Sequence, residues 1–164
     1  MAFALDLRIE ADSLLVGRHA EFQVRLVDDE RFFWALLIPE CEGIVELHDL
    51  DPKTNADLMQ LAAALGAALK RATGAKKINT ATIGNVVSQF HLHVIARHAH
   101  DESWPAPVWG QGTTVTLLPE TKAKRLEILL HCLLCLLVCR SIPSLDSVFQ
   151  RNMIRIEFQN SSPL

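Results

Sequence analysis

The feature that most constrains the fold of this chain is the run QFHLHVIAR, at positions 89–97. Every second residue in it is apolar, and the residues between these are Gln89, His91, His93, Ile95 and Arg97. Successive side chains of a β-strand point to opposite faces of the sheet. The run therefore predicts a strand with one core face, whose other face carries two imidazoles roughly 6.5–7 Å apart along the chain.

A long amphipathic helix is predicted over positions 52–73. Asp51 is a favourable N-cap, and Pro52 occupies the first helical position, where its missing N–H costs nothing. Gly74 is suited to the C-cap. Apolar residues recur at three- and four-residue spacing on one stripe: Leu58, Leu61, Ala62, Leu65, Ala68 and Leu69. Such a stripe is typical of a helix that packs against a sheet.

Four further β-favouring runs cover positions 13–16, 21–27, 32–38 and 77–83. The first two predict a hairpin with its turn at residues 17–19, and the third predicts a strand that is buried on both faces and stopped by Pro39. The fourth is joined to the histidine-bearing strand around Gly84 and Asn85. Strands surrounding one long helix predict a single α+β domain with a largely antiparallel sheet of about five strands.

Composition limits the partners and the compartment. The formal net charge is −3 and the pI is about 6.1, so no general attraction to a nucleic-acid polymer is expected. The longest apolar stretch, residues 128–139, has 12 residues and includes His131, which is short of the roughly 20 needed to cross a bilayer. The N-terminal residues do not resemble a signal peptide. A cytoplasmic protein with no membrane partner is expected.

The last third of the sequence differs in character. Residues 102–113 are rich in Trp, Pro and Gly and predict an ordered loop, whereas residues 119–140 look helical but are apolar on nearly every side. Cys132 and Cys135 have C-x-x-C spacing, which raises zinc or redox chemistry as an alternative. Their leucine-rich surroundings favour simple core packing.

The stretch GNVVSQFHLHVIAR resembles the signature of the histidine-triad (HIT) superfamily, in which three alternating histidines lie on a strand after a Gly-containing turn. FFWALLIPE is similar to the family's strand that ends in two apolar residues and a proline, and helix 52–73 lies where the family has its main helix. The resemblance covers about residues 13–110. It implies a HIT-like domain, for which we expect residues 1–115, and a homodimer. Residues 116–164 match no part of the family pattern and are expected to form a C-terminal extension that begins with a helix.

The resemblance also implies catalytic roles for individual residues. His91 matches the central histidine, which attacks the α-phosphorus in catalytic members, and His93 matches the third histidine, which helps to organise the phosphate site. Gln89 stands in the place of the first histidine and cannot titrate, so any proton relay there is lost. A further family histidine is replaced by Trp34.

Five other positions are implied in binding nucleotide or phosphate: Asn79, Gly84, Asn85, Val86 and Asp28. Asn79 matches an asparagine near the phosphate or leaving group, and Gly84 and Asn85 match the family's turn. Val86 stands where several members have a hydroxyl group that contacts phosphate. Asp28, or the aspartate after it, matches the position of an acidic or amide group on the ribose.

The implied function is hydrolysis or transfer at the α-phosphate of a purine nucleotide derivative, a phosphoramidate or a dinucleoside polyphosphate, through a nucleotidyl-histidine intermediate. This chemistry requires neither a metal nor another cofactor. Two alternatives stay open. One is a nucleotide-binding module with little catalysis, which the replaced histidine favours. The other is a metal-binding protein that uses His91 and His93 together with His98 or His100.

Overall fold

The computed structural model describes residues 3–141 of the chain, with side chains through Val138. A single five-stranded sheet is built from β1 (Ser13–His19), β2 (Phe22–Val27), β3 (Phe33–Pro39), β4 (Lys77–Thr82) and β5 (Leu92–Arg97). Its order is β1-β2-β3-β5-β4, and every neighbouring pair is antiparallel. The helices are α1 (Leu7–Asp12), α2 (Pro52–Thr73) and α3 (Pro119–Ser141). The predicted α+β fold is confirmed.

Helix α2 begins and ends where the sequence predicts. The Asp51 carboxylate accepts hydrogen bonds from the backbone N–H groups of Lys53 and Thr54 at 2.9 and 3.1 Å. Gly74 ends the helix in the left-handed region, at φ 66°. The apolar stripe of the helix packs against one face of the sheet, whose core side chains are Phe22, Val24, Leu26, Ala35, Leu37, Leu92, Val94 and Ala96. Because α2 covers this face of the sheet, the side chains of His91 and His93 lie on the opposite face.

Helix α3 contributes to the same core and contacts α2 and β1. Leu129, Cys132 and Leu133 are buried in that core, whereas Leu130 and Leu134 are exposed. Burial, with a smaller contribution from Cys135, raises the pKa of the Cys132 thiol to about 11, so this cysteine packs as an apolar side chain. Within residues 3–141, no helix is long and apolar enough to span a bilayer.

The second face of the sheet is covered by two short segments. Phe3, Leu5 and Ile9, in and before α1, pack against Leu36 and Ile38 of β3. Farther along the same face, the loop after β5 packs its residues Val108 and Trp109 against Phe32, Trp34 and Ile95. The sequence did not predict α1, because its six residues are too few to show a helical period.

Two predicted boundaries were wrong. Strand β1 continues through residues 17–19, where a turn was predicted, and the hairpin turns at Ala20 and Glu21 instead. A register shift between Leu15 and Gly17 lets the strand continue. Strand β5 begins at Leu92 rather than at residue 89, because the N–H of Phe90 donates to the carbonyl of Ile44 and not to a neighbouring strand.

Candidate active site

The two central histidines lie side by side at the start of β5. His93 pairs with Leu36 on β3 and with Ala81 on β4, and His91 immediately precedes the strand. Their ring centroids are 4.7 Å apart, with the ring planes at 77°. Both residues are buried, with 8% and 6% of their surfaces exposed. Their side chains lie on the face away from α2, as the alternation of the sequence predicts.

The hydrogen bond of His91 defines its tautomer. Its Nδ1 lies 2.7 Å from the backbone carbonyl oxygen of Gln89. A carbonyl oxygen only accepts hydrogen bonds, so Nδ1 carries the proton. In the neutral ring, Nε2 therefore holds a lone pair. His91 thus presents a nucleophilic nitrogen of fixed orientation.

His93 has the opposite tautomer. The indole N–H of Trp34, which can only donate, points to Nδ1 of His93 at 2.9 Å, so the proton of the neutral ring is on Nε2. This Nε2 is buried and forms no hydrogen bond of ordinary geometry, although the backbone of Ile83 interacts with the ring. Burial first, and the neighbouring His91 second, lower the pKa of His93 to about 3, with a smaller opposing effect from the backbone of Ile83. His93 is therefore a neutral hydrogen-bond donor at physiological pH.

Gln89 is held by the N-terminal segment. Its side-chain amide donates to the carbonyl oxygen of Ala4 at 2.8 Å and accepts from the N–H of Asp6 at 2.9 Å. The same residue supplies the carbonyl that orients His91. Gln89 thus orients His91 through its backbone carbonyl. Its side chain supplies no titratable proton, since glutamine does not ionise.

A cavity of about 290 Å³ opens beside His91 and is close to the lower limit for small-molecule sites. Gly84 and Asn85 line it, whereas Val86 is 76% exposed and does not, and the phosphate-binding roles of all three stay predictions. A side chain at position 84 would place its Cβ 3.3 Å from the carbonyl oxygen of Val87, so the turn is tight there. Sequence reasoning missed the lining residues Val45, Glu46, Thr82, Ile83, Ser88 and Phe90.

The structure places Asn79 and Asp28 outside the lining of this cavity. The side-chain carbonyl of Asn79 accepts a hydrogen bond from Arg97 at 2.9 Å. A carboxylate oxygen of Asp28 accepts from the backbone N–H of Leu117 at 3.0 Å, which ties the β2–β3 connection to the segment before α3. Their nucleotide-binding roles stay predictions.

An aromatic wall stands against His93. The Trp109 ring contacts the His93 ring edge to face, with centroids 5.2 Å apart, and contacts the Trp34 ring at 5.7 Å. Sequence reasoning predicted the loop that carries Trp109 but gave this residue no role. The available signal was a Trp-, Pro- and Gly-rich loop that follows closely after the histidine strand.

A larger cavity, of about 650 Å³, lies at the opposite end of β5, beside the stacked rings of His98 and His100. Several of its charged groups already have partners in the chain. Asp101 accepts from Arg97, and Arg125 donates to three backbone carbonyls. Within the described part of the chain, no three His, Cys, Asp or Glu side chains are grouped to hold a metal ion. Volume alone therefore does not favour this cavity over the smaller one.

The comparisons with known proteins agree with this geometry. The HIT domain family matches residues 8–100. A histidine triad protein from Sinorhizobium meliloti is 39% identical, with 79% of this chain and 96% of that chain covered and a TM-score of 0.76.

Two further solved structures are similar over comparable lengths. One is a histidine triad protein from Bradyrhizobium japonicum, with 32% identity, 81% of this chain and 99% of that chain covered, and a TM-score of 0.79. The other, from Marinobacter aquaeolei, has 33% identity, 81% and 97% coverage, and a TM-score of 0.79. No curated protein matches. The chain belongs to the histidine triad (HIT) family, whose members are in general nucleotide-binding hydrolases and transferases.

Proposed function

We propose that this protein binds a purine nucleotide derivative, a phosphoramidate or a dinucleoside polyphosphate, and cleaves it at the α-phosphorus through His91. The observation that supports this most is the pair of opposed tautomers. His91 offers a lone pair on Nε2, while His93, whose ring is 4.7 Å away, offers a proton on Nε2. One ring is suited to attack phosphorus and the other to donate to a phosphoryl oxygen.

In the first step, Nε2 of His91 attacks the α-phosphorus, a P–N bond forms, and the bond to the leaving group breaks. The leaving group departs with the bonding electron pair and takes a proton from solvent. Nδ1 of His91 keeps its proton, which the Gln89 carbonyl holds at 2.7 Å, so this carbonyl stabilises the positive charge that develops on the ring. In the second step, water attacks phosphorus and loses a proton to solvent, the P–N bond breaks with its electron pair returning to Nε2 of His91, and a nucleoside monophosphate is released.

The negative charge of the phosphoryl group requires donors that are already in position. His93 supplies one without becoming charged, since its pKa is far below neutral pH. Gly84 and Asn85 line the cavity beside His91, so the backbone N–H groups of this turn are candidate donors, as is the Ser88 hydroxyl. These groups allow the reaction to proceed without a metal ion. As the family resemblance implies, we expect a homodimer.

The alternative is nucleotide binding with little turnover. Gln89 stands in the place of the first triad histidine. Its side chain is hydrogen-bonded to the backbone of Ala4 and Asp6 and does not ionise. A site without an acid for the leaving group binds nucleotides but turns over only those whose leaving groups need no protonation. Substrates with good and poor leaving groups therefore separate the two functions.

The test is acid-quench trapping of a labelled nucleotidyl-protein adduct. Wild-type protein is mixed with radiolabelled adenosine phosphoramidate or diadenosine polyphosphate, and the adduct and the released AMP are measured. His91→Ala should lose the adduct and lower turnover at least about 10²-fold, the smallest contribution usual for a group of this kind. His100→Ala is the matched control, because this exposed histidine lies outside the site.

Equal adduct and turnover in His91→Ala would exclude His91 from the mechanism. Tight AMP binding without any adduct or turnover in the wild type would support the binding module instead.

A further inference from the structure

The connection between β4 and β5 carries much of the candidate site, but it lies outside the sheet. It runs over residues 83–91, and its members that line the cavity are Ile83, Gly84, Asn85, Ser88, Phe90 and His91. Within the described part of the chain, strand pairing ends at Thr82 and resumes at Leu92. The connection therefore needs anchors other than a neighbouring strand. One is the backbone hydrogen bond from Phe90 to the carbonyl oxygen of Ile44, at 3.0 Å.

A second anchor is the N-terminal segment, residues 3–6, which holds the connection at Gln89. The side-chain amide of Gln89 donates to the carbonyl oxygen of Ala4 at 2.8 Å and accepts from the backbone N–H of Asp6 at 2.9 Å. Its nitrogen and its oxygen thus both have partners, on backbone groups two residues apart. Two hydrogen bonds in different directions fix the plane of the amide, and with it the position of Gln89.

Apolar packing holds the N-terminal segment itself in place. Phe3 and Leu5 pack against the buried cluster that contains Leu36 and Ile38 of β3, and Val87 of the connection packs against the same cluster. The segment and the connection therefore share one part of the sheet surface. Gln89 is hydrogen-bonded to a backbone that the core already holds.

We infer that the N-terminal segment is a positioning element of the active site, and that Gln89 is the positioning residue through which it acts. The backbone carbonyl of Gln89 accepts from Nδ1 of His91 at 2.7 Å and so leaves Nε2 of that ring unprotonated for attack. Holding the Gln89 side chain keeps this carbonyl in place. The inference rests on the proposed function, and it gives the glutamine at the first triad position a use that requires no ionisation.

The first test removes the side-chain anchor. Gln89→Met keeps the backbone carbonyl and a side chain of similar length, but it loses both hydrogen bonds to the N-terminal segment. The ¹⁵N chemical shifts of the His91 imidazole in the full-length protein should then change from a pure Nδ1–H form to a mixture of both neutral tautomers. With an adenosine phosphoramidate, kcat should fall about tenfold, as expected for one weakened hydrogen bond to a charged ring. KM should stay within about twofold, since Gln89 does not line the cavity.

A matched pair of substitutions tests the N-terminal segment from its own side. Asp6→Pro removes the N–H that donates to Gln89, and the φ of −59° at this position already suits proline. Asp6→Ala keeps this N–H, and both variants lose the carboxylate that accepts from the N–H of Arg8. Asp6→Pro should therefore mix the His91 tautomers and lower kcat about threefold, the lower end for one neutral hydrogen bond. Asp6→Ala should leave the tautomer as in the wild type.

The outcomes separate this inference from the proposed function. If Gln89→Met and Asp6→Pro keep the pure Nδ1–H tautomer or the kcat of the wild type, the inference is wrong and the proposed function stands. If the wild type forms no nucleotidyl adduct, the proposed function fails, and the tautomers alone then support or overturn the orientation of His91 by the segment. Equal changes in Asp6→Pro and Asp6→Ala would assign the effect to the cap of α1 and overturn the inference. Should Gln89→Met not fold, the pair at position 6 decides.

Discussion

The polar side chains at the two ends of strand β5 differ in how fully the rest of the chain satisfies their hydrogen bonds. At the C-terminal end of β5, Arg97 is 1% exposed. All three of its guanidinium nitrogens donate to groups in the chain: Asp101, Asn79, Ser103 and the carbonyl of Ala106. At the start of the strand, His93 is 6% exposed and its Nε2 forms no hydrogen bond of ordinary geometry, and His91 keeps a lone pair on Nε2. Both ends are buried, but only at the Arg97 end does every nitrogen of the buried side chain have a well-formed hydrogen bond within the chain.

This difference separates a structural from a functional use of buried polarity. A buried charge whose nitrogens all have partners in the chain is costly to disrupt and has little left for a ligand. A buried group left unsatisfied costs stability, and such costs concentrate where a ligand repays them. Asn79 belongs to the satisfied end in this structure, since its oxygen is held by Arg97.

The largest effect on stability is expected when the hydrogen bonds of Arg97, at the C-terminal end of β5, are removed. Arg97→Met leaves the Asp101 carboxylate, 6% exposed, without its cation, and should lower the free energy of unfolding by about 3–5 kcal/mol. Denaturant unfolding measures this change. Lys76→Met is the control, because it removes an exposed cation from the same Trp104 ring and should cost at most about 1 kcal/mol. Equal losses in the two variants would contradict the assignment of Arg97 to the structural end.

An intermediate effect is expected at the start of the strand when Trp34 loses its N–H. Trp34→Phe frees Nδ1 of His93, so both neutral tautomers become accessible and the Nε2 donor is no longer guaranteed. We expect kcat/KM to fall about tenfold.

The ¹⁵N chemical shifts of the imidazole report the tautomer of His93 directly. If Trp34 had a purely structural role, its replacement would leave this tautomer unchanged. Trp104→Phe is the matched control. Persistence of a pure Nε2–H tautomer in Trp34→Phe would show that something other than the indole fixes the ring.

The smallest effect is a pH dependence of stability. The folded-state pKa of His93 is about 3, and the ordinary value is 6.5, so between these values the unfolded chain binds a proton that the folded chain does not. Stability therefore falls as the pH drops below 6.5, by about 1 kcal/mol from there to about pH 5.5, and no such contribution exists above that range.

His93→Gln should remove this part of the pH dependence, and thermal unfolding of both proteins across the range measures it. The carboxylates titrate in both proteins and cancel in the comparison. Parallel curves for the two proteins would mean that His93 titrates normally in the folded state.

Much of this protein follows from local sequence patterns. The alternation of residues 89–97 determined which side chains of β5 face the core, and Asp51, Pro52 and Gly74 determined where α2 begins and ends. These features depend on backbone periodicity and on hydrogen bonds to near neighbours, so they can be read in the sequence. The six-residue helix α1 could not be predicted from the sequence, since its position depends on packing against β3.

The chemistry of the histidines was decided by tertiary contacts. The sequence placed His91 and His93 on one face of a strand, but their tautomers depend on a carbonyl two residues away and on the indole of Trp34, which is 59 positions distant in the chain. Likewise, the first triad position is neutral glutamine by sequence, but only the fold engages its side chain with Ala4 and Asp6. Periodicity acts along the chain, whereas protonation depends on which donors and acceptors folding brings together.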